Sequence, residues 1–175
     1  MPAPSSWVRR FAVLIPAGGR VLDLACGSGR HARLLANLGY HVEATDRDSL
    51  ALAALDGSQR IITRAADLEN SPWPFDPACF DGVIVTNYLF RPRFDALIDV
   101  LRPGGVLIYE TFMVGNEAFG KPSNPDFLLQ PGELLDRVRS RLTVIAFEQG
   151  RVDFPNPAFV QRICAAAAGV GRLPI

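Results

Sequence analysis

The sequence has no surplus of either charge: 18 Lys plus Arg stand against 18 Asp plus Glu in 175 residues. That balance argues against a generic electrostatic grip on nucleic acid, which needs a surplus of cations along the bound face. Cysteine is scarce. Cys26, Cys79 and Cys164 lie far apart and form no C-x-x-C pair, so neither a zinc site nor a disulfide framework is expected. Reduced thiols in a cytoplasmic protein are the simpler reading. Long apolar runs are missing too. The opening stretch "MPAPSSWVRRFAVLIPAGG" is far too short in apolar residues to span a membrane, and no cleavage signature follows it. There are no internal repeats and no low-complexity block beyond the "AAAA" at 165–168.

What is present is an ordinary globular composition, 49% hydrophobic and 21% charged. The length suits one domain, 1–175, with a substantial core. Trp7, Phe11 and Leu14 recur at helical spacing over 5–15, with Pro16 and Gly18-Gly19 as the stop. "RVLDLAC" predicts a buried strand, and a helix over about 30–38 follows, closed by Gly39. "HVEAT" predicts the second strand, ending at Asp46, with a helix over 48–56. "RIITRAA" predicts the third strand, "DLENSPWPFDPACF" a proline-punctuated loop, and "DGVIVTN" the fourth strand. A helix over about 91–101, a turn at "RPGG" and the strand "VLIYETFM" come next. A helix over 131–140 opened by Pro131 precedes two last strands, "LTVIAFEQ" and "AFVQRICAAA", joined through "DFPNP".

Strand–helix alternation implies parallel pairing with right-handed crossovers and helices on both faces. The last two strands are too closely joined for a helix between them, so a hairpin is expected there. The expected fold is therefore α/β, a three-layer doubly wound seven-stranded sheet, mostly parallel, with a C-terminal antiparallel hairpin. The irregular stretch over about 115–134 follows a strand end, where long loops carry function.

"GSGRHA" places Gly27, Gly29 and Ala32 on a G-x-G-x-x-G/A template, and an acid, Asp46, closes the next strand. Such a loop meets a nucleotide at a helix N-terminus, but the pattern alone does not choose the nucleotide. Asp23 discriminates. It lies four residues before Gly27 on the first strand. A carboxylate there opposes a dinucleotide pyrophosphate by a few kcal/mol, on the order expected at close range in a partly desolvated site. It suits a ligand that carries a sulfonium and an ammonium and no phosphate.

"VLDLACGSG" resembles motif I of class I S-adenosylmethionine-dependent methyltransferases. "EATDRD", "AADLENSPWPF", "FDGVIVTNYL" and "LRPGGVLIYETF" resemble their later motifs in the same order, over nearly the whole chain. The resemblance implies S-adenosylmethionine as cofactor, and a Rossmann-like fold of seven strands with the last hairpin reversed. It implies that Asp23 orients the loop toward the cofactor's amino group, which the Ala25 carbonyl can also meet. Gly27 and Gly29 allow close approach, Asp46 takes both ribose hydroxyls, and Arg47 or Asp48 flanks the adenine. Asp67 accepts from the adenine amine, the Leu68 N–H reaches a ring nitrogen, and Asn87 lies under the methionine portion. Arg30 pairs with the cofactor's carboxylate. The C-terminal half is similar to tellurite-resistance-type small-molecule methyltransferases.

Candidate catalytic residues are Tyr88, at a strand end facing the site, and His31, with packing the favoured role for His31. Tyr109 and His41 read as packing and structure, Cys26 as steric fit. Trp73 covers the adenine or pins its loop. Arg91, Arg93, Lys121 and Glu110 are candidates for the acceptor pocket. "TNYL" differs from the N-P-P-Y pattern of amino-group methyltransferases, which with the zero charge makes nucleic acid an unlikely partner and a small molecule the expected substrate. Two other readings stay open: a non-catalytic or partner-dependent cofactor-binding module, and an NAD-dependent oxidoreductase, which Asp23 and the short chain disfavour.

Overall fold

The computed structural model describes residues 2–168. Seven strands run β1 (Arg20–Leu24), β2 (His41–Asp46), β3 (Ile61–Ala65), β4 (Phe80–Thr86), β5 (Leu101–Phe112), β6 (Thr143–Val152) and β7 (Ala158–Ala166). They form one sheet in the order β3-β2-β1-β4-β5-β7-β6. The pairs from β3 through β5 are parallel, and β7 runs antiparallel to both β5 and β6. The expected doubly wound sheet with a reversed C-terminal hairpin is what forms.

Five short helices cover the sheet: α1 (Ser6–Phe11), α2 (Arg30–Asn37), α3 (Ser49–Ala53), α4 (Phe94–Asp99) and α5 (Glu133–Val138). Strand alternation sorts the core into two layers. Val21, Val42, Ala44 and Ile84 face Trp7, Phe11 and Leu35. Leu22, Leu24, Val83, Val85 and Leu107 face Phe94, Leu97, Leu134 and Val138. No helix separates β3 from β4, as the proline-rich run required.

Helices are shorter than the apolar spacing suggested. The one expected over 5–15 begins at a Ser5 cap and tightens into a 3-10 turn over Ala12–Leu14 before Pro16. That over 48–56 is α-helical only over Ser49–Ala53, capped by Asp48. The 91–101 helix starts as a 3-10 turn at Arg91–Arg93. The 131–140 helix spans only Glu133–Val138, and its cap is Gly132, with left-handed backbone at φ 76°, rather than Pro131. "RPGG" is no separate turn but an irregularity inside β5, where pairing jumps from Phe80–Leu101 to Gly82–Val106. Gly104, at φ 79°, supplies the left-handed step it needs.

Candidate active site

β1 and β4 are neighbours, yet the chain leaves β1 toward β2 and leaves β4 toward β5. This reversal opens a crevice beyond the carboxyl ends of the strands, the place where open α/β sheets bind ligands. Both residues at its lip have left-handed backbone without being glycine: Ala25 at φ 52° and Asn87 at φ 56°. Each such conformation costs of the order of 1 kcal/mol and is held only by its surroundings. Asn87 is fixed by its N–H donating to the Glu110 carbonyl at 2.9 Å, and the Cys26 N–H donates to the Thr45 carbonyl at 3.0 Å.

A cavity of about 450 Å³ lies here. One side comprises Ala25, Asp46, Arg47, Ala66, Asp67, Leu68, Glu69 and Asn87; the other Tyr88, Leu89, Thr111, Phe112, Pro122 and Phe127. Seven residues named from the sequence thus meet, Ala25, Asp46, Arg47, Asp67, Leu68, Asn87 and Tyr88, while Asp23, Gly27, Gly29 and Arg30 do not line the cavity. Asp46 Oδ2 accepts from the Gly27 N–H at 2.8 Å and Oδ1 from the Asp48 N–H at 3.0 Å, which fixes the carboxylate at the tip of β2. Asp67 folds its own turn, accepting from the N–H groups of Glu69 and Asn70 and from Asn70 Nδ2, each at 3.0 Å. Those bonds, Asn70 foremost, hold its carboxyl below the usual range.

Gly27 and Gly29 both have positive φ, 53° and 76°. They serve different ends. A Cβ on Gly27 would meet nothing within 4 Å, so the loop surface there is open to a ligand; on Gly29 it would strike Leu55 at 2.5 Å, so that glycine is needed for packing α2 onto the fold.

Asp23 sits beneath this loop, 1% exposed, and its Oδ2 has no hydrogen-bond partner. Burial raises its carboxyl to about 7, against lowering by the Ala32 N–H and the Arg30 charge. An orphaned buried carboxylate is costly unless a donor or cation arrives to meet it. This is the observation by which the site fits a ligand bearing an ammonium and a sulfonium.

Other candidates lie elsewhere. His31 is 1% exposed; its Nε2 accepts from the Ser5 N–H at 3.0 Å and its Nδ1 is 3.3 Å from Thr86 Oγ1. Burial, with Arg30 nearby, lowers it to about 4, so it is a neutral tie between the N-terminal segment and β4, and it does not line the cavity. Arg30 donates to the Ala3 carbonyl at 3.3 Å and is also outside the lining. Trp73 pins its loop, packed against the core 5.2 Å from Phe75, and does not line the cavity. Tyr88 does line it; burial and the charges of Glu69 and Asp67 keep its phenol protonated. Tyr109 is core, stacked on Phe94 and donating to the Tyr88 carbonyl at 2.7 Å. Burial, with Asp23 next, pushes the Cys26 thiol up, leaving it inert.

The four acceptor-pocket candidates are corrected: none lines the cavity. Arg91 pairs through two atoms with Glu133 at 2.7 and 2.9 Å; Arg93 donates to the Ser71 carbonyl at 2.8 Å; Glu110 pairs with Arg162 at 2.6 Å; Lys121 is exposed. Ion pairing holds two of these charges, Arg91 and Glu110. Of the residues that form this side, Pro122 and Phe127 lie in the irregular 115–134 stretch expected to carry function, though neither was singled out, because apolar side chains there give no individual signal; Thr111 and Phe112, which close β5, were not named.

Known proteins match at both sequence and fold. Residues 21–105 match the family described as methyltransferase domain. The chain is 30% identical over 177 aligned residues to a tRNA U34 carboxymethyltransferase from Methylococcus capsulatus, covering 89% of this chain and 53% of that protein. It is 37% identical over 106 residues to a demethylmenaquinone methyltransferase from Clavibacter sepedonicus, covering 55% and 42%. The chain thus spans about half the length of these relatives. In fold it is similar to TehB from Haemophilus influenzae, with a TM-score of 0.79 at 19% identity, covering 96% of this chain and 64% of that one.

Proposed function

From a chain that carries a methyltransferase domain over residues 21–105 on the class I fold, we propose an S-adenosylmethionine-dependent methyltransferase that acts on a small molecule by in-line methyl transfer. The observation that carries the reading is Asp23, a buried carboxylate with an unpartnered oxygen below an open glycine loop. A pyrophosphate would be repelled there, which sets aside a dinucleotide; a cationic amino acid moiety would be drawn in.

In this reading Asp23 and the Ala25 carbonyl meet the cofactor's ammonium, and the Gly27 surface lets the backbone come close. Asp46, already oriented by two N–H donors, takes the ribose hydroxyls; Asp67, Leu68 and Arg47 border the adenine; Asn87 lies under the methionine portion. When bound, the cofactor supplies an activated methyl on a sulfonium leaving group. The protein's part is then mostly positioning and exclusion of water. Leu89, Phe112, Pro122 and Phe127 provide the apolar side on which an acceptor is held in line.

A small acceptor is favoured over RNA because no cation lines that side and the chain has zero net charge. No helix among the described residues is long and apolar enough to cross a membrane, and a cytoplasmic place is part of the proposal.

The test is calorimetric titration with S-adenosylmethionine, S-adenosylhomocysteine and NAD in parallel. Micromolar binding of the first two and none of NAD is expected. Asp46→Ala should weaken both by about 1–3 kcal/mol through lost hydroxyl bonds. Binding of NAD alone overturns the reading; binding of nothing favours a partner-dependent module.

A further inference from the structure

A second cavity, of about 480 Å³, lies at the other end of the same strands. Arg20, Glu43, Arg60, Ile62, Asp81 and Arg102 line it, in or just before the opening residues of β1 to β5. His41 at its edge and Asp46 in the candidate active site are five residues apart along β2, about 17 Å. The volume suits a small molecule.

Register puts the key side chains on one face of the sheet. Arg20 is opposite His41 and Glu43 is opposite Ile62, with two-residue steps between them along each strand. Parallel sheets are ordinarily covered on both faces. Here the chain passes from β3 to β4 without a helix, and residues 62–65 of β3 are exposed. Ile62 keeps 58% of its surface open beside Glu43, which keeps 1%.

The charges on this face do not cancel. Glu43 Oε2 accepts from Arg20 at 2.6 Å and Oε1 from Arg64 at 2.5 Å, so both of its oxygens are taken. Asp81 Oδ2 accepts from the Arg20 N–H at 2.8 Å and from the Arg102 guanidinium at 3.0 Å. Arg60 meets no carboxylate among the described residues; it donates to the Gly39 carbonyl at 3.2 Å and lies 3.3 Å from His41 Nε2. Four guanidiniums thus stand against two carboxylates, a surplus of two positive charges. Arg20, Arg60 and Arg102 each spend one side-chain nitrogen on these bonds, which leaves the other N–H donors of each fork for a ligand.

A surplus of two matches a dianion, and guanidinium forks match the oxygens of a phosphate. Arg20 and Arg60 flank β2, two strand spacings or about 10 Å apart, a gap that two long side chains can close on one phosphate. We propose that this cavity binds a small phosphomonoester with an apolar or ring-bearing body, its phosphate held between Arg20 and Arg60 and its body laid on Ile62. The site stands apart from the methyl-transfer cavity and does not depend on that reading.

Calorimetric titration with phenyl phosphate, inorganic phosphate and benzoate at about pH 7.5, where a phosphomonoester is mostly a dianion, tests it. Phenyl phosphate should bind one per chain, at least about tenfold more tightly than benzoate and severalfold more tightly than inorganic phosphate. Arg60→Gln should weaken it about tenfold while melting as wild type does, as a surface substitution should. Ile62→Ala should bring phenyl phosphate close to inorganic phosphate, and Asp46→Ala, at the far end of β2, should leave it unchanged. No saturable binding, benzoate bound as tightly as phenyl phosphate, or full affinity in Arg60→Gln overturns the inference. So does a 5′-phosphorylated oligonucleotide that binds much more tightly than phenyl phosphate, because the occupant would then be a nucleic-acid end and not a small molecule.

Discussion

Asp23 shows how one buried carboxylate ties the stability of this chain to pH and, in the proposed function, to its cofactor. Unfolded, it titrates near 3.8; folded, near 7. The folded protein therefore holds the extra proton between those values. The stability this contributes is full below about pH 4 and is lost as pH rises through 7, at about 1.4 kcal/mol per unit. Cofactor binding runs the other way, because an ammonium prefers the ionised carboxylate. S-adenosylhomocysteine affinity should fall about tenfold between pH 8 and pH 6, the ionised fraction of a group titrating near 7. In Asp23→Asn the affinity should be weak and nearly flat over that range. A wild-type profile just as flat would remove Asp23 from the site. Residue identity made Asp23 and Asp46 visible in the sequence. Ion pairing hid the true state of Arg91 and Glu110, since a charge that looks free in a string can be spent on a partner 42 or 52 residues away.

At the scale of elements, the irregular segment after β5 is held as one unit. Met113 bridges to Leu129, the Val114 N–H donates to the Leu129 carbonyl at 3.0 Å, and Asn116 donates to the Pro122 carbonyl at 3.0 Å. Arg91, directly after the β4 tip, donates to the carbonyls of Asp126 and Leu128 at 2.8 and 2.9 Å. Its partner Glu133, drawn down to about 2, also accepts from the Gln130 N–H and from Arg137, its ion pairs outweighing its burial. This latch sets where Phe127 stands. Arg91→Gln keeps part of the hydrogen bonding but loses the charge. It should speed hydrogen exchange across 115–129 severalfold, with S-adenosylhomocysteine affinity changed little; exchange as slow as in wild type would show that Arg91 does not hold the loop. The strand pattern of this region was readable from alternation, whereas helix lengths were not: apolar spacing continues past the points where Asp48, Gly132 and Pro16 cap or stop the backbone.

The whole molecule stakes little of its stability on charge and much on a sheet buried on both faces. A ligand that binds only the folded state raises stability by mass action. S-adenosylhomocysteine at 100 times its dissociation constant should add about 2.7 kcal/mol and raise the melting temperature by about 5–10 °C for a chain of this size. NAD at the same concentration should leave it unchanged; an equal shift with NAD would count against the proposed cofactor.

The sequence by itself determined the succession of strands and helices, the C-terminal hairpin and the class of ligand proposed for the glycine loop. Hydrophobic alternation, glycine punctuation and a strand carboxylate are local signals, written in neighbouring residues. Only the tertiary structure decided which charges stay available and which side chains wall the cavity. Those depend on partners far apart in the chain: Arg91 with Glu133, Glu110 with Arg162, His31 with Ser5. Burial left Asp23 without a partner for one oxygen, and pairing over long separations tied up Arg91 and Glu110, contacts that no local pattern encodes.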